Sequence, residues 1–261
     1  MKRRWIIALV VAWAVVVGGL ALYSSFRGRP TAREQTTIAE ALPTVDGALG
    51  RVYAALDPGT SVAALGGYRR TETSCRVTTA REGTRFVREL MVYVKPTTER
   101  DVLERVKAAL PASYKAEIVH STTADLLTFD AGNFVGVRGS VTAPGQLTFT
   151  ADTGCRVQDA AVAEATAGAP DADQALVQAV LDTLGTPASQ WRTHRLTCPA
   201  GGTLWTVEAV TTGDGAKARA AVSASAVVLD QPKLFAYRSG PAGIALHAEG
   251  SSLVISSTAG C

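Results

Sequence analysis

Residues 68–75 read YRRTETSC, and residues 191–198 read WRTHRLTC. In each stretch an aromatic residue is followed by Arg, with a Cys seven positions after the aromatic. Tyr68, Arg69 and Cys75 thus match Trp191, Arg192 and Cys198. Upstream of each stretch lies an amphipathic segment of helical period. The first is ALGRVYAALDPG, with Leu49, Val52, Tyr53 and Leu56 on one side. The second is DADQALVQAVLDTLG, with Leu176, Val177, Val180, Leu181 and Leu184. Asp171 or Asp173 is placed to cap this second helix, and Gly185 to close it.

Downstream, both blocks end alike. VGVRGSVTAPGQLTFTADTGC runs to Cys155, and GIALHAEGSSLVISSTAGC runs to Cys261. Each alternates short strands with a Gly-containing turn and closes on Gly-Cys. A central helix is expected between the paired cysteines. In the first block Thr98-x-x-Asp101 resembles a capping box, Val102, Leu103, Val106, Ala109 and Leu110 line one face, and Pro111 ends the helix. In the second block the helix is weaker and lies around 215–225. The expected fold class is α+β: an N-terminal transmembrane helix, then two duplicated units, each an antiparallel sheet with two helices on one face. The expected divisions are 1–23 for the cytoplasmic tip and anchor, 24–47 for a juxtamembrane stalk, 48–157 for the first unit, 158–169 for a linker and 170–261 for the second unit. After each middle helix two or three strands are expected.

The duplication selects one of the three pairings that four cysteines allow: Cys75 with Cys155, and Cys198 with Cys261. Each bridge ties the first strand of its unit to the last. No C-x2-C pair suited to zinc and no redox C-x-x-C occurs, so no metal site is expected. Structural disulfides imply an oxidising compartment.

Residues Trp5 to Tyr23, WIIALVVAWAVVVGGLALY, carry no charge. Nineteen helical residues span about 28 Å, close to the hydrocarbon thickness of a bilayer. Trp5 and Tyr23 stand where aromatic rings favour the headgroup region. The long apolar core and the lack of an A-x-A exit favour an uncleaved signal anchor over a cleaved signal. Lys2, Arg3 and Arg4 precede the span while Arg27, Arg29 and Arg33 follow it, so charge alone leaves the orientation balanced. The disulfides favour an extracytoplasmic C-terminal domain.

Beyond the span the chain carries 23 basic and 23 acidic residues, so its exported part is formally neutral and nucleic acid is not an expected partner. Arg outnumbers Lys by 20 to 6 and Asn133 is the only asparagine, a composition that suits a GC-rich bacterial genome.

Catalytic signals are sparse. His120, His194 and His247 do not form a helical metal pair, and no G-x-S-x-G elbow, P-loop or G-x-G-x-x-G turn occurs. No catalytic residue and no cofactor is assigned. Arg69, Arg70, Arg76, Arg81, Arg85 and Arg88 fall within twenty residues and form a candidate anion-binding face, with Glu72, Glu82 and Glu89 interspersed. Tyr68, Trp191 and Trp205 are expected to pack inward. The expected function is a binding or interaction module of the bacterial envelope, held in the membrane by residues 5–23 and engaging an envelope protein. The alternatives are an envelope hydrolase with an unmarked site in the interdomain cleft, or a binder of anionic lipid or wall polymer through the Arg-rich face.

Overall fold

The computed structural model describes residues 2–27, 36–78, 81–120, 125–162, 170–213, 215–223 and 226–261; the side chains of 2–3, 22, 24–27 and 72–74 lie outside the description. Stalk residues 28–35, with Arg29 and Arg33, and linker residues 163–169 therefore fall outside the described residues, as does the side chain of Glu72.

Helix α1 (Lys2–Arg27) carries no charged residue between Arg4 and Arg27. Its stretch Arg4–Ala21 has a mean hydropathy of 2.1 and buries none of its residues within the protein. Helix α2 (Ile38–Ala54) starts from a capping box. The Thr37 hydroxyl accepts from the Glu40 N–H at 3.3 Å, and the Glu40 carboxylate accepts from the Thr37 N–H at 2.9 Å. The helix begins inside the segment expected to be stalk and buries Ile38, Ala41, Val45, Leu49 and Val52. Pro43, a residue that lacks a helical donor, hides this early start in the sequence.

The first sheet has seven strands. They are β1 (Ser61–Leu65), β2 (Arg69–Thr78), β3 (Arg81–Val94), β4 (Glu117–His120), β5 (Asp125–Asp130), β6 (Gly136–Ala143) and β7 (Gln146–Asp152), with α3 (Glu99–Ala109) between β3 and β4. The order is β1-β3-β7-β6-β5-β4, with β2 also on β3. Leu65 lies opposite Leu90 and Arg69 opposite Val87, so β1 and β2 run along β3 as one interrupted strand. The second sheet has six strands. After α4 (Asp171–Leu184) come β8 (Gln190–Thr197), β9 (Thr203–Thr212), α5 (Ala216–Ala221), β10 (Val227–Gln231), β11 (Leu234–Ser239), β12 (Ala242–Glu249) and β13 (Ser252–Ala259). Their order is β10-β11-β12-β13-β9-β8. All pairs in both sheets are antiparallel.

Four strands follow each middle helix, one or two more than expected. The additional ones, such as the four-residue β4, are too short to show a period of two. Helix α3 does not use the expected capping box: the Thr98 hydroxyl donates to the Lys95 carbonyl at 2.7 Å, and Ala109 is exposed. Helix α4 starts after Pro170 without a side-chain cap, and Gly185 closes it with φ 74°.

One face of the first sheet contributes Leu90, Val92, Leu127, Phe129, Val137 and Phe149 to a core shared with α2 and with Val102, Leu103 and Val106 of α3. Each such fully buried side chain is worth roughly 1.5–3 kcal/mol. The second core joins Val177 and Leu181 of α4 to Val207, Phe235, Leu246 and Ile255. A third cluster seats Val62, Ala64 and Tyr93 of the first sheet against Leu234, Ala236 and Ala245 of the second. Helix α2 also contacts β8, and Leu196, Cys198 and Leu204 belong to the first core.

Cys75–Cys155 and Cys198–Cys261 are the two disulfides, spanning 80 and 63 residues. Gly154 and Gly260 precede the second cysteine of each and take φ of 68° and 114°, which a Cβ disfavours. At Gly260 an added Cβ would also meet the Thr203 carbonyl oxygen.

Candidate binding site

The six clustered arginines do not share a face. Successive residues of a strand point to opposite sides, so Arg88 turns away from Arg85 and Glu89. It is 1% exposed. Its Nη1 meets Asp46 Oδ1 at 2.6 Å, its Nε donates to the Gly66 carbonyl at 3.0 Å, and its guanidinium lies 4.5 Å from the Tyr68 ring centre. The Tyr68 hydroxyl donates to the same Asp46 oxygen at 2.5 Å. Burial, with the Asp46 charge added, pushes that hydroxyl well above the usual tyrosine range. Arg88 is therefore withdrawn from the candidate anion face.

Arg85 donates from Nε to both Asp152 oxygens at 2.9 Å, and Arg69 pairs with Glu89 at 2.8 Å. Arg76 is exposed opposite Glu82, while Arg70 and Arg81 stand opposite Phe86 and Thr78. The expected cationic face is thus broken up, because the carboxylates lie on the neighbouring strands as well as in the local sequence.

On the face of the first sheet opposite the α2–α3 core lies a trough of about 940 Å³. Its middle is two rows set by register. Thr150 pairs with both Glu89 and Arg138, and Arg138 pairs in turn with Thr128. In the next row Asp152 pairs with Val87 and Gly136, and Gly136 with Asp130. Opposed side chains across a sheet are about 5 Å apart at Cβ, so Arg138 stands between two threonine hydroxyls. Arg138 is exposed and makes no ion pair among the described residues. Gly136 leaves open space beside it.

The loop between β5 and β6 contributes to the same trough. Asn133 and Phe134 take φ of 49° and 55°, a left-handed backbone costing roughly 1–2 kcal/mol per residue for non-glycine. The loop is held in place. Arg156, 1% exposed, donates to the Asn133 carbonyl and to the Thr153 carbonyl, the latter at 2.6 Å. The Asn133 amide donates to the Thr44 hydroxyl at 3.2 Å. Phe134 remains 52% exposed and lines the trough together with Tyr114 and Lys115.

A second hollow of about 680 Å³ lies between α2 and β8, with Asp46, Arg51, Tyr68, Arg88 and Arg195 among its walls. None of the three histidines lines either hollow. His120 bonds to Asp125 at 2.8 Å on the β4–β5 hairpin, His194 lies buried 3.5 Å from Glu208, and His247 is 3.5 Å from Glu249. Among the described residues no cluster of three or more His, Cys, Asp or Glu is grouped to hold a metal ion. Trp191 is 37% exposed on edge strand β8, and Trp205 is half-buried beside Arg195, so neither packs inward as expected. Tyr68 does pack against the first core.

Sequence reasoning missed Arg138, Thr128, Thr150, Asp152 and Phe134. The available signal was the strict alternation of GVRGSV at 136–141 and QLTFTAD at 146–152, which predicts one open polar sheet face. No family model, curated protein or solved structure matches the chain.

Proposed function

We propose that the chain is a single-pass membrane protein whose extracytoplasmic part is a binding module of the bacterial envelope, with the trough of the first sheet as its ligand surface. Residues 5–23 supply the anchor, and the two disulfides favour an oxidising compartment. The exported part consists of two copies of one ancestral unit. In support, α2-β2-β3-α3-β4-β5-β6-β7 and α4-β8-β9-α5-β10-β11-β12-β13 run in the same succession. Their sheets follow the same order, with β1 an addition to the first.

The observation that carries the binding role is the trough, open to solvent among the described residues. Concave surfaces with a few convergent polar groups are the usual place for ligands. The test is a photo-crosslinking residue placed at Ser140 or Thr150 in intact cells, against the same residue at Glu104 on α3. A discrete adduct from the trough positions only is expected. Equal labelling at Glu104, or no adduct from either trough position, overturns the reading.

A second reading is favoured by β8, an edge strand carrying exposed Trp191. Such an edge accepts an added strand from an envelope protein. A crosslinker at Arg192 would then capture a polypeptide, and Trp191→Ala would abolish the capture.

A further inference from the structure

We propose that the hollow between α2 and β8 is a separate ligand site that binds a phosphate ester, its phosphate held by Arg51 and Arg195. The hollow shares no lining residue with the trough of the first sheet.

Charge is the first reason. Three guanidiniums, those of Arg51, Arg88 and Arg195, line the hollow against one acid, Asp46. Asp46 is already taken by the buried Arg88 and by the Tyr68 hydroxyl. Arg51 and Arg195 are exposed and make no ion pair among the described residues. Each instead lies by a ring. Arg51 Cζ is 5.9 Å from the centre of Tyr114, and Arg195 Cζ is 5.7 Å from that of Trp205. A ring attracts a guanidinium through its π face and uses up none of its N–H donors, which stay available to an anion. A cleft with two surplus cations concentrates anions.

The shape of α2 is the second reason. Pro43 and Gly47 stand one turn apart on its hollow-facing wall. Inside a helix proline costs roughly 3 kcal/mol and glycine about 1 kcal/mol relative to alanine. Packing asks for neither residue. Pro43 is exposed, and a Cβ at Gly47 would meet nothing within 4 Å. The space beside Gly47 is therefore open, and a larger side chain there would occupy it. Gly50 differs: a Cβ there would stand 3.0 Å from the Thr197 carbonyl oxygen, so this glycine lets α2 approach β8. The two walls thus come from the two sheet units. About 680 Å³ lies within the range of small-molecule sites, which favour such junctions.

The third reason selects the anion. Arg51 belongs to the α2 wall and Arg195 to the β8 wall, where Thr197 and Thr203 add hydroxyls. A planar carboxylate is satisfied by one guanidinium fork, whereas a tetrahedral phosphate carries oxygens toward both walls. Leu42, Pro43 and Pro199 offer apolar surface to the organic part of the ester. A soluble ester and a lipid headgroup share this chemistry. Ile38 follows Arg27 by eleven residues, at most about 40 Å of extended chain. With α1 as anchor, the hollow is tethered near a bilayer surface.

The test is calorimetry on the full chain in neutral detergent micelles at pH 7. The probe is glycerol 3-phosphate, with glycerate as the carboxylate control and glycerol as the neutral one. Saturable binding of glycerol 3-phosphate is expected, with glycerate at least tenfold weaker and glycerol unbound. Arg51→Gln and Arg195→Gln should each weaken binding at least tenfold, while Arg105→Gln on α3 should not. Gly47→Leu should block binding and leave the thermal midpoint unchanged or raised, since leucine favours the helix. A second arm adds dioctanoyl phosphatidic acid to the micelles, against dioctanoylglycerol. Competition by phosphatidic acid alone assigns the site to a lipid headgroup, and its absence assigns the site to a soluble ester. Failure of glycerol 3-phosphate to bind, equal binding of glycerate, or undiminished binding in Arg51→Gln, Arg195→Gln or Gly47→Leu would each overturn the proposal.

Discussion

Arg88 on β3 and Asp46 on α2 meet at 2.6 Å, with the Arg88 side chain 2% exposed. This pair locks the helix to the sheet from beneath the Tyr68 ring. Removing one partner of a buried ion pair leaves the other charge desolvated, which costs about 3 kcal/mol or more. Arg88→Ala is expected to lower unfolding free energy by about 3 kcal/mol, because Asp46 keeps some solvent. Tyr68→Phe should cost about 1 kcal/mol through its lost hydrogen bond. Urea unfolding followed by tryptophan fluorescence measures both, and a double-mutant cycle with Asp46→Asn should reveal strong coupling.

The two disulfides close loops of 80 and 63 residues. The loop-entropy relation assigns each about 4 kcal/mol. Replacing both members of either pair by Ser should therefore lower stability by that order. Non-reducing peptide mapping should recover Cys75 with Cys155 and Cys198 with Cys261. A peptide joining Cys75 to Cys198 or Cys261 would refute the pairing.

Gly139 lies under Phe149, whose ring would stand 2.5 Å from a Cβ placed there. Gly139→Val is expected to cost about 2 kcal/mol by overpacking. Phe149→Leu in the same chain should recover part of the loss, and the thermal midpoints of the single and double variants compare the two.

Asp125 accepts from His120 and Arg100, each at 2.8 Å. The His120 bond first, then the Arg100 bond, hold its carboxyl below the usual carboxylate range. A depressed acid stabilises the fold above its unfolded value near pH 4 and loses that contribution as pH falls through its folded value. Asp125→Asn should therefore be less stable than the parent chain at pH 7. The gap should close on acidification to about pH 2, as read from urea midpoints at the two pH values.

Membrane attachment through α1 predicts that the full chain stays in the pellet on alkaline carbonate extraction, at its unprocessed mass. A chain lacking residues 2–27 should move to the soluble fraction. Release of the full chain would remove the anchor.

Some of this was readable along the chain alone. The apolar run of 5–23 is a local property, and so is the period of α3 and α4. The two cysteine pairs followed from the recurrence of an aromatic-Arg start and a Gly-Cys close, which demand the same positive-φ glycine in both places. The length of α2 was hidden by Pro43, and the short strand β4 by having too few residues to show alternation.

The candidate site was not readable in this way. Six nearby arginines looked like one surface because their signs agree in sequence. Strand alternation turns Arg88 inward, and Asp152, 67 residues beyond Arg85, neutralises another of them. Arg138 carries no distinguishing signal in the sequence, being one Arg in an alternating strand. Only the registers of β5, β6 and β7 set it between Thr128 and Thr150, and bonds from the distant Arg156 and Thr44 hold the Asn133–Phe134 turn beside them. Sequence determines what each strand is made of; pairing between distant strands decides which charges cancel and which are left facing water.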